Sequence, residues 1–117
     1  MRLWFVWSVR RRRPVLTHEV RERLRGVFEQ VAREHGWQLC EVQVRADHIR
    51  LCLDVDPGFA PTSVAYRLKS RSARFLLDAY PETFRKMPSV WTRRLLVQTS
   101  PPSEEEVEAF LASEKRR

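Results

Sequence analysis

Two cysteines in 117 residues are too few for a disulfide scaffold or a four-thiolate metal knuckle, and they point to a reducing compartment. Long hydrophobic runs are missing as well. The longest, Leu3 to Trp7, falls far short of the roughly 20 residues that a membrane-spanning helix needs. There is no signal-peptide pattern of basic start, extended apolar core and small-residue cleavage site. The expected location is therefore the cytoplasm, with no membrane partner. Internal repeats and low-complexity linkers are also absent, which leaves residues 1–117 as one domain. A chain of this size buries roughly two thirds of its unfolded surface, enough for a core without covalent staples. What it has in excess is positive charge: 22 Lys and Arg against 15 Asp and Glu, a net charge of +7. Clustered cations attract phosphate backbones by counterion release, so the composition points to a polyanionic partner.

Residues 3–9 are aromatic and β-branched, with Leu3, Phe5, Trp7 and Val9 on one parity, which predicts a first strand. Arg10 to Arg13 then set four cations in a row before Pro14, a composition that suits a solvated connection. Thr17 stands where a helix N-cap belongs. Val20, Leu24, Val27, Phe28 and Val31 recur at spacings of four and three until Gly36 closes the helix. Two strands follow, Trp37 to Val44 and His48 to Val55. The second alternates, with Ile49, Leu51, Leu53 and Val55 on one face and His48, Arg50, Cys52 and Asp54 on the other. Pro61 opens a second helix and Pro81 stops it. That helix carries Arg67, Arg71 and Arg74 on one face, with Lys69 nearby. Residues 90–99 predict a fourth strand. After Pro101-Pro102, Ser103 and Glu106 form a capping box for a last helix through Val107, Phe110 and Leu111. The order β-α-β-β-α-β with an additional C-terminal helix is α+β: the ferredoxin-like split-βαβ plan, an antiparallel sheet with two helices on one face.

Side-chain parity bears on how the second and third strands pair, because a slip of one residue exchanges the faces. Pairing Val44 with His48 would set Cys40 opposite Cys52 and bury the Glu41 carboxylate against the helices, which is costly without a partner. Pairing Val44 with Asp47 across a two-residue turn puts Cys40 and Val42 among Leu51 and Ile49 instead. The second register is the one expected. It places Cys40 and Cys52 on opposite faces, with no disulfide between them, and sets Glu41 against Arg50.

On the face that the two helices leave open, His48 and Arg50 stand two residues apart. A His-hydrophobe-His pair at that spacing sets two imidazoles side by side, ready for a divalent ion. With Asp47-His48-Ile49-Arg50-Leu51 at this point, the chain resembles the single-tyrosine His-hydrophobe-His transposases of the insertion-sequence 200/605 group, which have Asp-His-Val-His-Leu there. The likeness begins with a first strand ending in Trp7 and continues with Arg12-Arg13-Pro14-Val15-Leu16-Thr17, Gly36-Trp37, and Leu68-Lys69 followed by Ser72. It extends through Tyr80-Pro81, Val90-Trp91 and Ser103-Glu104-Glu105.

The resemblance implies a homodimer that recognises short hairpins in single-stranded DNA and cuts and rejoins strands. In that family a tyrosine on the last helix attacks the phosphodiester. Two histidines and a polar residue on the tyrosine helix hold a magnesium or manganese ion that polarises the scissile phosphate. Carried across residue by residue, His48 is retained. Arg50 stands at the second histidine, and a guanidinium has no lone pair to give a cation. Phe110 stands at the tyrosine and has no oxygen, while Glu114 corresponds to the polar ligand. Tyr66 and Tyr80 belong to the second helix or its end, so neither replaces the nucleophile. Pro101-Pro102 takes the place of the family's Gly-Gly hinge and stiffens it.

The expectation is a relative that binds single-stranded or hairpin DNA without nicking it and without a metal cofactor. His48, Arg50, Phe110 and Glu114 then mark vestigial catalytic positions. Arg50, where a metal once sat, can hold a phosphate. Arg10, Arg11, Arg12, Arg13, Arg67, Lys69, Arg71 and Arg74 would supply backbone contacts. Trp4, Trp37 and Trp91 are weighed as base-stacking platforms against ordinary core roles. Two alternatives stay open: an active transposase with magnesium or manganese on His48 and Glu114, and a dimerisation partner or regulator of an intact transposase. An RNA-recognition module on the same plan ranks last, because its third strand would carry aromatics where this one has His48, Arg50, Cys52 and Asp54.

Overall fold

The computed structural model describes residues 1–115, with side chains through residue 113. The elements run β1 (Arg2–Ser8), α1 (His18–His35), β2 (Gln38–Val44), β3 (His48–Asp54), α2 (Pro61–Ala79), a single-turn α3 (Pro81–Phe84), β4 (Leu96–Gln98) and α4 (Glu104–Lys115). The strands form one antiparallel sheet in the order β2-β3-β1-β4, which is the split-βαβ plan.

Alternation along β1 and β3 decides what each face carries. Leu3, Phe5 and Trp7 with Ile49, Leu51 and Leu53 pack against Val20, Leu24, Phe28 and Val31 of α1 and Val64, Leu68 and Leu76 of α2. At the centre the fully buried Trp7 meets Phe28 and Trp91 edge to face, at ring distances of 5.8 and 5.9 Å. The other face takes α4, whose Val107, Phe110 and Leu111 close over Val6 and Leu96. The last helix thus docks on its own sheet.

Local signals set the helix ends. Gly36, at φ 73°, terminates α1 with its N–H directed at the Ala32 and Arg33 carbonyls, a left-handed conformation that costs glycine no Cβ clash. The Glu106 N–H donates to Ser103 Oγ at 3.1 Å, and the Ser103 N–H donates to Glu106 Oε1 at 2.9 Å, a reciprocal capping box. Thr17 occupies the N-cap of α1, but its hydroxyl makes no capping bond.

The strand pairing differs from the expected one. Val44 pairs with Ile49, Gln43 with Arg50 and Val42 with Leu51, across a loop of residues 45–48 in which the Arg45 N–H donates to the His48 carbonyl at 2.9 Å. Val42 and Val44 keep the expected core-facing parity. The chain then inserts a bulge between Leu39 and Glu41, which leaves Glu41 opposite Cys52. The reason lies in the spacing: Leu39 and Val42 both pack on the core, and positions an odd number apart, here three, fall on opposite faces of a regular strand. One extra residue, Cys40, resolves the conflict. Glu41 is therefore not set against Arg50, and Cys40 shares a face with Cys52 instead of opposing it. Both thiols are free.

The fourth strand is also shorter than residues 90–99. Val90 and Trp91 turn into the core, and the backbone of Trp91 pairs only through an isolated bridge to Val9, just beyond β1. The Trp91 indole N–H donates to the Lys69 carbonyl and the Ser72 hydroxyl, each at 3.1 Å. Satisfying that buried N–H holds the segment against α2 and leaves only residues 96–98 to pair.

Candidate nucleic-acid interface

Strand β3 delivers His48 and Arg50 to the α4 side of the sheet, about 7 Å apart along the strand. Arg50 lies between Val6 of β1 and Gln43 of β2. Its Nη1 donates to Glu104 Oε1 of the first turn of α4 at 3.0 Å. The Arg50 side chain is only 18% exposed and that of Glu104 is 77% exposed. The cation is thus fixed in place, while its carboxylate partner sits at the rim where an incoming anion can replace it. A cleft of about 230 Å³ opens beside Arg50, walled by Trp4, Glu41, Gln43, Pro101 and Pro102. Phe110 packs on Val6, the residue directly across from Arg50, with the Arg94 guanidinium 5.0 Å over its ring. Three positions read from the sequence, His48, Arg50 and Phe110, therefore meet on one face. Glu114 belongs to the last turns of α4, and its side chain lies outside the described residues.

At the end of the sheet, residues 10–12 form a tight turn rather than a solvated tether. Arg11 and Arg12 have φ values of 58° and 54°, a left-handed backbone that costs a non-glycine residue about 1 kcal/mol or more. Packing and hydrogen bonds hold it: the Arg12 N–H donates to the Val9 carbonyl at 2.8 Å and the Arg10 N–H to the Val90 carbonyl at 2.9 Å. Arg12 Nε donates to Asp47 Oδ2 at 3.1 Å, and His48 Nδ1 meets Asp47 Oδ1 at 2.8 Å. Burial pushes the Asp47 carboxyl up, but the His48 hydrogen bond and the charges of His48 and Arg12 outweigh it and hold the group below the usual carboxylate range. An ionised Asp47 can only accept, so His48 Nδ1 is the donor in this hydrogen bond.

A depressed carboxylate contributes stability above its unfolded pKa, about 4, and that contribution disappears as pH falls through the lower folded value. Urea unfolding across that acid range is therefore expected to show less pH dependence in Asp47→Asn than in the parent chain, with the variant weaker at neutral pH. An unchanged acid slope would remove Asp47 from this role.

The remaining cations are dispersed. Arg71 clamps Glu34 of α1 at 2.6 and 3.2 Å, and that hydrogen bond lowers the Glu34 carboxyl against the opposing effect of burial. Arg67 Nη1 lies 3.1 Å from His35 Nε2. Both belong to the helical layer, on the far side of the sheet from Arg50. Lys69 Nζ turns inward to the Thr92 carbonyl at 2.7 Å. Arg11, Arg13 and Arg74 are exposed, and Arg10 reaches Ser89 Oγ at 3.3 Å. Trp37 and Trp91 are core residues, whereas Trp4 stays half-buried beside Arg50.

Sequence reasoning missed Glu104 and Gln43 as neighbours of Arg50. The only signal for the first was the acidic first turn of α4, Glu104 to Glu106, which says nothing about what it faces. The donor chemistry also does not suit a divalent ion, because a guanidinium stands beside the single imidazole. Among the described residues no group of three or more His, Cys, Asp or Glu side chains is arranged to hold a metal, and no helix is long and apolar enough to cross a membrane.

A split-βαβ sheet whose last helix closes over Val6 beside the His-hydrophobe-Arg strand belongs to a chain that matches the family of IS200-like transposases. The family model covers residues 1–112, and the chain belongs to that family. Its sequence is 32% identical over 82 residues to the ISDra2 transposase TnpA of Deinococcus radiodurans, a match that takes in 70% of this chain. It spans 59% of that relative's length. Two solved structures share the fold. One, described as a transposase of Deinococcus radiodurans R1, superposes with a TM-score of 0.86 at 23% identity over 97% of this chain and 90% of that one. The other, a REP-associated tyrosine transposase bound to a REP hairpin, gives 0.63 at 15% identity over 92% and 61%.

Proposed function

We propose that this chain binds single-stranded or hairpin DNA and does not cut it. The observation that carries the reading is Arg50, a permanently charged guanidinium held on the sheet face, with its one carboxylate partner at the solvent rim. A phosphate replacing Glu104 would gain charge-assisted hydrogen bonds from a donor already in position. Trp4, in the same cleft, offers a ring on which an unpaired base can stack. Covalent strand transfer requires an oxygen nucleophile. The ring of Phe110 supplies none and is instead used in docking α4 on Val6. With a cation at Arg50, binding needs no magnesium or manganese. The family likeness supports a homodimer, and light scattering that returns a monomeric mass in the presence of hairpin DNA would overturn that part.

Fluorescence anisotropy with a hairpin and an unstructured oligonucleotide, at rising salt, tests the reading. Affinity is expected to fall as salt rises. Absence of binding at low salt, or indifference to salt, sinks the proposal. The second arm incubates labelled hairpin with manganese and resolves the products under denaturing conditions. No covalent protein–DNA adduct is expected, and its appearance would establish the active alternative. Glu104→Gln is expected to tighten hairpin binding about threefold, since it removes a competitor held by a partly exposed ion pair worth at most about 1 kcal/mol. Weaker binding by that variant would mean that Glu104 positions Arg50 rather than competes for it.

A further inference from the structure

Cys40 and Cys52 are the only cysteines in the chain, and the bulge in β2 brings them to one face. Glu41 is the Cα partner of Cys52, and Cys40 is the extra residue of the bulge immediately before it. Cys40 thus stands one Cα step from the residue directly across from Cys52, and a disulfide bridges Cα atoms about 4.4–6.8 Å apart. Cys40 is exposed, with its thiol donating to the Gln38 carbonyl at 3.6 Å, and Cys52 is buried. Burial first, and then the neighbouring Cys40 thiol, push the Cys52 thiol up to about 12. Cys40 also sits beside the Asp54 carboxylate and the Arg2 guanidinium. One sulfur is thus reachable from solvent, and the other is buried nearby.

We propose that Cys40 and Cys52 form a reversible oxidation site, a dithiol that closes into an intramolecular disulfide when the protein meets hydrogen peroxide. The site is independent of the DNA-binding reading. The Cys40 sulfur attacks peroxide and the O–O bond breaks; one oxygen leaves as water and the other stays on Cys40 as a sulfenic acid. The Cys52 sulfur then attacks the Cys40 sulfur, and the thiol proton leaves with the sulfenic hydroxyl as a second water. Two thiols and one peroxide give one disulfide and two waters. Cys52 is buried and Cys40 exposed, so the first step falls to Cys40, and the closeness of the two residues in the bulge favours the second. In a reducing compartment the pair stays open and closes only under oxidative challenge. The bridge would tie the edge strand β2 to β3 next to Glu41, one wall of the Arg50 cleft.

The test treats the full chain with hydrogen peroxide, alkylates with iodoacetamide under denaturing conditions and measures intact mass. The expected product has lost the mass of two hydrogens, offers no alkylatable thiol and regains both on dithiothreitol treatment. It is also expected to melt several degrees above the reduced protein, because the bridge restricts the unfolded chain. Cys40→Ser, a change at an exposed position, should keep one alkylatable thiol and show no such rise in melting temperature after peroxide. Oxygen added to Cys40 while Cys52 remains alkylatable would overturn the proposal, as would a disulfide joining two chains.

Discussion

Charge reversal at Arg50, Arg50→Glu, is expected to weaken binding of hairpin DNA by roughly 10-fold to 100-fold, the loss of a charge-assisted hydrogen bond worth about 1.5–3 kcal/mol. Two further consequences separate a specific contact from a general loss of charge. The slope of log affinity against log salt is expected to drop by about 1, as for one phosphate contact removed. Arg74→Glu makes the same change in net charge at an exposed position of α2, in the layer on the far side of the sheet, and is expected to cost much less. If the two variants weaken binding equally, attraction to the whole basic surface accounts for it and Arg50 has no special place. Reversal also leaves Glu104 facing a carboxylate, so circular dichroism and thermal melting of the free protein must accompany the titration. Loss of α4 docking would appear there.

Trp7→Ala is expected to remove about 3–5 kcal/mol of stability, a large part of the roughly 5–15 kcal/mol that a domain of this kind has. Trp7 is fully buried and meets Phe28 of α1 and Trp91 of the segment before β4. Truncation therefore opens a cavity at the junction of sheet, helix and connecting segment. Among the described residues the indole N–H has no hydrogen-bond acceptor, so packing rather than polar bonding is lost. Trp7→Phe, which keeps an aromatic ring and removes an unpaired donor, is consequently expected to cost far less. Urea unfolding of the two variants measures the difference. Equal losses would mean that the indole contributes something its packing does not reveal.

How much of this was legible from the sequence depended on the range of the interaction concerned. The span of α2 between Pro61 and Pro81, the closure of α1 at Gly36 and the Ser103–Glu106 box are set by residues within one turn of each other, and each lies where the spacing places it. The alternation of β3 likewise gave its two faces. The β2–β3 register was not legible. Val42 and Val44 carried the correct parity, but nothing local showed that Leu39 also packs on the core, and that requirement forces the bulge. The arginine stripe of α2 was visible as a periodicity, whereas its engagement by Glu34 and His35 of α1 depends on how the two helices cross. Arg50 was legible, from its chemistry alone, as a cation with no lone pair for a metal two residues from His48. Its partner Glu104 lies 54 positions away, beyond any spacing rule.

By itself, then, the sequence determined the order of elements, the faces of the central strands and the absence of an oxygen at position 110, because these follow from side-chain chemistry and from backbone geometry that repeats over a few residues. Tertiary structure alone decided that β2 bulges at Cys40 beside Cys52, that Arg10–Arg12 fold into a clamped turn on Asp47, and that α4 brings Glu104 to Arg50. Each of those outcomes is a compromise between contacts distant in the chain. It is settled by which apolar side chains must share one core and which polar groups must find partners once that core has formed.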